Sequence, residues 1–275
     1  MTMAPEATPA VLVTGCSSGI GRATAHRFLN ADWRVWATAR DPTDITDLAD
    51  AGCRTATLDV TDGAQIERVV ERAVERDDRI DCLVNNAGFG QAGAIEEVPV
   101  DRLQAQFDVN VFGPVRLIQT VLPHMRNAGG GTIVNVSSLM GRVTYPTRGA
   151  YAGSKHALEA LSDTLRAEVG GFDIDVVLVE PGTVQTGFED RLRETEAVLD
   201  ERPVYARLRR VVDRAQRLAE RRGMPPVKVA DVIYRAATSD GPKRRYVVGW
   251  DARLAILADC IIPTTLTDWL YRTLS

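Results

Sequence analysis

Short apolar runs alternate with helix-period stretches along most of this chain, and that alternation restricts the fold more than any other feature. The runs "AVLVTG" (10–15), "RVWATAR" (34–40), "RTATLDV" (54–60), "IDCLVNNAG" (80–88), "GTIVNVSS" (131–138) and "IDVVLVEPG" (174–182) are apolar on both faces. Such runs suit central strands of a parallel sheet that helices cover on both sides. Helical patterns fill the gaps at 19–30, 44–50, 100–125 and 150–169, and in "GAQIERVVERAVER", where Ile66, Val69, Val70 and Val74 recur at helical spacing. "RRYVVGW" (244–250) adds a last strand. Strands separated by helices predict βαβ units and an α/β, doubly wound, mostly seven-stranded parallel sheet.

One segment breaks the rhythm. From 182 to 227 there is no strand pattern, only the charged amphipathic stretches "FEDRLRETEAVL" and "ARLRRVVDRAQRLAERR". A long excursion beyond a strand end predicts a helical substrate lid over 187–226, an exposed helical hairpin being the other reading. Residues 251–275 form an amphipathic C-terminal extension with three roles open to it: capping the substrate mouth, packing in a dimer, or touching a membrane surface. The whole of 1–275 reads as a single domain.

Composition removes several function classes. The chain has 275 residues, 45% hydrophobic and 25% charged, an ordinary globular mixture. A net charge of −4 offers no basic field for nucleic acid, and the arginines between 191 and 222 are interleaved with acids. The N-terminal "MTMAPEATPA" lacks the basic and apolar regions of a secretory signal, and no run of about 18 apolar residues spans a membrane. Cys16, Cys53, Cys82 and Cys260 lie far apart without metal-ligand spacing, so no metal site is expected. These features together predict a cytoplasmic protein with reduced thiols.

"VTGCSSGIGRA" follows the first strand and opens a helix. Gly15 permits a tight turn, Gly19 lets a diphosphate approach the backbone, and Gly21 lets the helix sit close to the sheet. The helix N-terminus offers free N–H groups and a partial positive charge to phosphates. The loop therefore predicts a dinucleotide site. At the end of the second strand, "ATARD" places Ala39 about where an NAD-type acid would stand, followed by Arg40. A guanidinium there pairs with a ribose 2′-phosphate, which predicts NADP(H) over NAD(H). Asp41 leaves two alternatives open, a pair with Arg40 or a direct contact with the ribose.

Only three lysines occur, Lys155, Lys228 and Lys243, in a chain rich in arginine. Lys155 lies four residues after Tyr151 in "YAGSK", so the two share a helix face. A cation about 4 Å from a phenol contributes on the order of 4 kcal/mol at an effective dielectric of about 20. That would suffice to bring a phenol with a pKa near 10 down to about 7. His156 points away from Tyr151 by most of a turn and reads as structural.

"TGCSSGIG", "NNAG" (85–88), Asn110 in "DVNVFG", "VNVSS" ending at Ser138, "YAGSK" and "PGTVQT" appear in order. Together they resemble the short-chain dehydrogenase/reductase family over roughly residues 9–250, in its compact single-domain, hydroxysteroid- and retinol-dehydrogenase-like branch. The resemblance implies a three-layer Rossmann fold and hydride transfer between a nicotinamide and an alcohol or carbonyl. By this likeness Tyr151 is the proton donor and Lys155 holds the nicotinamide ribose. Ser138 bonds the substrate oxygen, and Asn110 kinks its helix and holds a relay water. The cofactor is expected on Gly15, Ser17, Ser18, Gly19, Ile20 and Gly21, with Arg40, Asp59 and Val60 at the adenosine end. Asn86, Ala87 and Gly88 would flank its ribose; Pro181, Gly182 and Thr186 would close over the nicotinamide. Met140 and Tyr145, with Phe89 and Gly90, are candidate substrate contacts, and their apolar character favours a hydrophobic steroid-, retinoid- or ketone-like substrate. A small-molecule substrate and a homo-oligomer are expected, without nucleic acid or an integral membrane segment. The alternative is a non-catalytic dinucleotide-binding redox sensor or scaffold. An epimerase or dehydratase with the same Tyr–Lys pair is disfavoured by the glycine spacing and by "NNAG".

Overall fold

The computed structural model describes residues 8–200 and 202–274. Most of the N-terminal stretch read above for an export signal lies outside the described residues. Seven parallel strands form one sheet: β1 (Ala10–Val13), β2 (Arg34–Ala39), β3 (Arg54–Thr57), β4 (Cys82–Asn85), β5 (Gly131–Val136), β6 (Ile174–Pro181) and β7 (Arg245–Val248). Their order is β3-β2-β1-β4-β5-β6-β7. β1 thus lies between β2 and β4, with Leu12 opposite Trp36 on one side and Leu83 on the other. The alternation read from the sequence is the three-layer, doubly wound fold.

The strands are apolar on both faces because both faces are covered. Val11, Val13, Val84, Val134 and Val177 point to one side, where Phe28 of α1 (Gly19–Leu29) and Ile233 of α9 (Pro226–Thr238) meet them. Leu12, Leu83, Ile133 and Val176 point to the other. There they meet Ile66 of α3 (Gly63–Asp77) and Leu117 of α5 (Gly113–Asn127). Burying each such side chain contributes roughly 1.5–3 kcal/mol. Asp77, the last residue of α3, is buried and accepts from Trp36 Nε1 of β2 (2.8 Å) and Arg34 Nη1 (3.2 Å), with Arg54 of β3 a third partner.

Several boundaries differ from the sequence reading. The strands are shorter at their C-terminal ends, because the chain there leaves the ladder to line a crevice. The helix expected at 44–50 is a 3₁₀ turn at Pro42–Ile45 running into α2 (Thr46–Asp50). The helix expected at 100–125 is two: α4 (Val100–Phe107), a π turn (Asp108–Phe112), then α5. Pro114 has no N–H for the Asn110 carbonyl, and the Gly113 N–H instead bonds back to Asp108. A π turn thus stands where the kink at Asn110 was expected, just ahead of Pro114.

α6 (Gly149–Val169) packs along β6. Beyond β6 come α7 (Phe188–Ala197) and α8 (Ala206–Glu220), and after β7 come α10 (Trp250–Ile261) and α11 (Thr264–Leu274). Among the described residues no single helix is long and apolar enough to cross a membrane; α10 and α11 reach that apolarity only together, across a bend of 106°.

Candidate active site

All strand tips point the same way, and the winding reverses between β1 and β4. In such sheets ligands bind at that switch point, beyond the carboxyl ends of the strands. A cavity of ≈ 1110 Å³ opens there.

The glycine loop forms its floor. Gly15 and Gly19 have φ of +71° and +58°, a region L side chains rarely adopt. A Cβ on Gly15 would stand 2.8 Å from Ala87 Cα, so the loop lies against the tip of β4. Asn86 Nδ2 donates to the carbonyls of Thr14 (2.8 Å) and Gly15 (3.1 Å). In return Thr14 Oγ1 accepts from Asn86 N–H and Ala87 N–H, each at 3.0 Å. The two loops are one locked unit. Ser18 heads α1 without capping it by its side chain. The first residues of the helix, Gly19 and Ile20, line the cavity and offer it an anion seat, while Gly21 packs behind them against Gly15 and Asn86. Ser17, Ser18, Gly19 and Ile20 line the same floor, a fit for a diphosphate.

At one end stand Arg40, Asp59 and Val60, from the tips of β2 and β3. Asp41 does not pair with Arg40. Its Oδ1 accepts from Thr43 N–H (2.9 Å) and Thr43 Oγ1 (2.7 Å), which holds its carboxyl below the usual range. Among the described residues Arg40 makes no ion pair and lies exposed at the cavity edge. Asp59 Oδ1 is likewise occupied by Thr61 N–H (2.9 Å) and Thr61 Oγ1 (2.8 Å).

At the other end the loop after β6 folds over the floor. Pro181, Gly182 and Thr186 line it, and a Cβ on Gly19 would meet the Thr186 methyl at 2.9 Å. Asp251 of α10 grips this loop through Thr183 N–H (2.7 Å) and leaves no room beside Gly182.

Tyr151, Lys155 and Ser138 converge between the two ends. Ser138 stands at the tip of β5, and its Oγ accepts from Met140 N–H (3.1 Å). Tyr151 and Lys155 are both buried on α6, with Lys155 Nζ 5.8 Å from the Tyr151 ring centre. Lys155 Nζ donates to the Val136 carbonyl (2.9 Å). Burial pushes the Lys155 pKa down to about 8, against the pull of Glu159. Burial also pushes the Tyr151 phenol up, opposed by a hydrogen bond with Ser138 and reinforced by Glu189. Burial and Glu189 thus work against the acidified phenol expected from the sequence, and the Ser138 hydrogen bond works for it.

Asn110 sits on the π turn, away from direct contact with Tyr151. Its Oδ1 accepts from Phe89 N–H (3.1 Å), and its Nδ2 donates to the Phe89 carbonyl (2.9 Å) and Ser154 Oγ (3.1 Å). It fastens the loop carrying Gly88 to α6. His156 Nδ1 lies 2.9 Å from the Ala152 carbonyl of its own helix, as a structural residue should.

Met140 and Tyr145 line the cavity beyond Tyr151. α7 and α8 supply the facing wall, with Phe188 tilted against Tyr151 at 5.3 Å between ring centres. Sequence reasoning missed Thr14 and Asp251, and it covered Arg148, Phe188, Glu189 and Gln216 only as parts of the segments expected to wall or cover the pocket, without individual roles. The one available signal was an aromatic–acid pair, Phe188–Glu189, directly after "PGTVQTG".

The model of the family described as short chain dehydrogenase matches residues 9–197. This chain belongs to that family. The short-chain dehydrogenase is 33% identical to a probable short-chain type dehydrogenase/reductase of Helicobacter pylori, over 95% of this chain and 96% of that one. It is 34% identical to a 3-ketodihydrosphingosine reductase of Bacteroides thetaiotaomicron, over 87% of each. To an NADPH-dependent 3-dehydrocapnine reductase of Ornithobacterium rhinotracheale it is 32% identical, over 94% and 95%. Among solved structures, a short-chain dehydrogenase from Streptomyces avermitilis superposes with a TM-score of 0.83 at 35% identity, covering 98% of both chains. One from Burkholderia phymatum in complex with NAD gives 0.76 at 28% (94% and 93%). A serine dehydrogenase complexed with NADP+ gives 0.76 at 26% (87% and 94%). The short-chain dehydrogenase is accordingly an oxidoreductase of CH–OH groups that works with a nicotinamide dinucleotide.

Proposed function

We propose that this enzyme is an NADP(H)-dependent alcohol dehydrogenase or ketoreductase for a hydrophobic substrate. The observation that carries the reading is the meeting of Tyr151, Lys155 and Ser138 at the midpoint of a crevice whose floor suits a dinucleotide and whose far wall is apolar. Arg40 supports the phosphate-bearing cofactor, since Asp41 is turned to Thr43 and leaves the guanidinium available. When bound, NADPH supplies the hydride; when oxidised, the cofactor brings positive charge beside Tyr151.

The chain's own residues do the rest. Ser138 and Tyr151 donate hydrogen bonds to the carbonyl oxygen and steady the charge that develops there. Tyr151 then gives its Oη proton to that oxygen as the carbon is reduced, completing the alcohol. Lys155, with a pKa near neutrality, holds the ribose and helps restore the phenol. Asn110, whose carbonyl Pro114 cannot bond, is placed for the relay water. Gly15, Ser17, Ser18, Gly19, Ile20 and Gly21 take the diphosphate, and Asp59, Val60, Asn86, Ala87 and Gly88 flank the adenosine. Pro181, Gly182 and Thr186 cover the nicotinamide. Met140 and Tyr145 touch substrate, and residues 187–226 act as the lid.

Two experiments test this. Tyr151→Phe should lower kcat by about 10²–10⁴ while NADPH still binds with nearly native affinity, as titrated by cofactor fluorescence. Ordinary turnover by that variant would remove the proton-donor role. Arg40→Ala should reduce the ratio of kcat/KM for NADPH over NADH by about tenfold, near 1.4 kcal/mol. An unchanged ratio would reassign the 2′-phosphate contact.

A further inference from the structure

The substrate end of the crevice is largely apolar, with Arg148, Gln216 and Glu189 among the polar side chains on its α7–α8 wall. Phe188, Leu192, Val211, Val212 and Ala215 line it, and among them the start of α7 brings in Glu189. Glu189 follows Phe188, the residue stacked on Tyr151. Its carboxylate is close enough that its charge acts on the Tyr151 phenol.

Among the described residues Glu189 makes no ion pair. Its hydrogen-bond partner is the neutral carboxamide of Gln216, through Nε2. Gln216 Oε1 in turn accepts from Arg148 Nε (3.2 Å) and Nη2 (2.7 Å), so the buried Arg148 is held one side chain away. Arg148 is engaged further by the Thr147 carbonyl (3.3 Å) and by Glu196 (3.5 Å). Arg193, the other nearby cation, is taken by Glu220 (2.6 Å) and Asp190 (2.7 Å). A half-buried carboxylate with no ion pair is costly: burial pushes the Glu189 pKa up, and the more distant charges of Arg148 and Arg193 offset that only in part. An arriving cation would offset that cost through a charge-assisted hydrogen bond. It would also cancel the repulsion that Glu189 exerts on the ionised form of Tyr151.

We propose that Glu189 seats the ammonium group of the substrate, and that the substrate is an aliphatic amphiphile carrying a protonated amine one or two carbons from the carbinol carbon. Glu189 directly follows Phe188, whose ring meets that of Tyr151, which favours a short spacing. The apolar residues of α8, with Ala255 and Tyr271 at the mouth, take the alkyl chain. This proposal rests on the reading of Tyr151 and NADP(H) given above.

The test compares oxidation of 1-amino-2-dodecanol, its N-acetyl derivative and 2-dodecanol with saturating NADP+ at about pH 8, in the native enzyme and in Glu189→Gln. The native enzyme should favour the free amine by about tenfold or more in kcat/KM, mostly through KM. In Glu189→Gln that ratio should fall to about one. Oxidation of the neutral alcohols with no preference for the amine would overturn the proposal and leave the proposed reaction standing. Oxidation of none of the three would remove both. A preference that survives in Glu189→Gln would overturn the seat at Glu189. Because the variant can fail to fold, inhibition of the native enzyme gives a second measure. Dodecylamine should compete with substrate at a concentration about tenfold lower than dodecanol, and dodecanoate should be weakest. Equal inhibition by the three would likewise overturn the proposal.

Discussion

Gly21 shows how little slack the cofactor floor has. A Cβ there would stand 2.2 Å from the Gly15 carbonyl oxygen and 2.5 Å from Asn86 Nδ2. Gly21→Ala must therefore push Asn86 off the loop it holds, at about 1–3 kcal/mol for overpacking. The expected outcome is a lower Tm together with NADPH affinity weakened by about tenfold, read by thermal melts and by cofactor titration; unaltered affinity would mean the loop shifts freely. Residues of this kind were legible in the sequence because their spacing is local: the glycines, Ser138, Tyr151 and Lys155 each announce themselves within a few positions. Thr14 and Asn86 are different. Their hydrogen bonds join loops 72 residues apart, so no local pattern could say that Asn86 is spent on the glycine loop. Glu189 was hidden for a related reason, since an acid in a charged helix looks like surface until its neighbours are known.

Among the elements, α6, β6 and β7 are joined behind the active site by a buried charge cluster. Glu180 of β6 is fully buried, 3.0 Å from Arg245 Nε of β7. Arg245 also reaches Glu159 (3.0 Å) and Asp163 (2.5 Å) of α6, and Arg142 approaches Glu180 at 3.8 Å. Burial first and Glu159 second push the Glu180 pKa up to about 7, against Arg142 and Arg245. An unfolded glutamate ionises near its ordinary value of 4.5, so between there and about 7 the folded chain keeps a proton that the unfolded chain releases. This group's contribution to stability is thus full at low pH and is lost as pH rises through that window. In Glu180→Gln the loss should vanish, so that Tm of the variant minus Tm of the native enzyme grows from pH 5 to pH 8 by roughly 2–3 kcal/mol equivalent. A constant difference would show that Glu180 titrates normally. At this scale the alternation of strands and helices was legible because period and apolarity are averaged over many residues. The split of the helix at 100–125 was half legible: Asn110 suggested a kink, while Pro114 is what breaks the ladder.

For the molecule as a whole, α8 is fastened to the stretch before α4 by a buried ion pair. Arg209 of α8 is buried and forks onto Glu97, which also accepts from Arg202 N–H (2.6 Å). Breaking one partner of such a pair costs about 3–5 kcal/mol. Most of α8 is otherwise half-exposed, so the loss should appear as local opening rather than global unfolding. Arg209→Ala should speed hydrogen exchange across 206–220 and raise KM, with little change in exchange at β1, β4 and β5. Uniform acceleration through the sheet would show that α8 and the sheet open together. The strand order, unlike the strands, could be read only through family resemblance, because pairing partners far apart in sequence leave no mark in either one.

That order also bears on synthesis. β1 leaves the ribosome before the other strands of the sheet, and β2 and β3 soon follow on one side of it. Its other edge stays bare until Cys82–Asn85 has been made. During that interval the nascent chain presents an unpaired, wholly apolar strand edge, the kind of surface that templates misassembly. Translational pausing shortly before β4 would prolong the hazard, and a pause just after it would let the central seam close first.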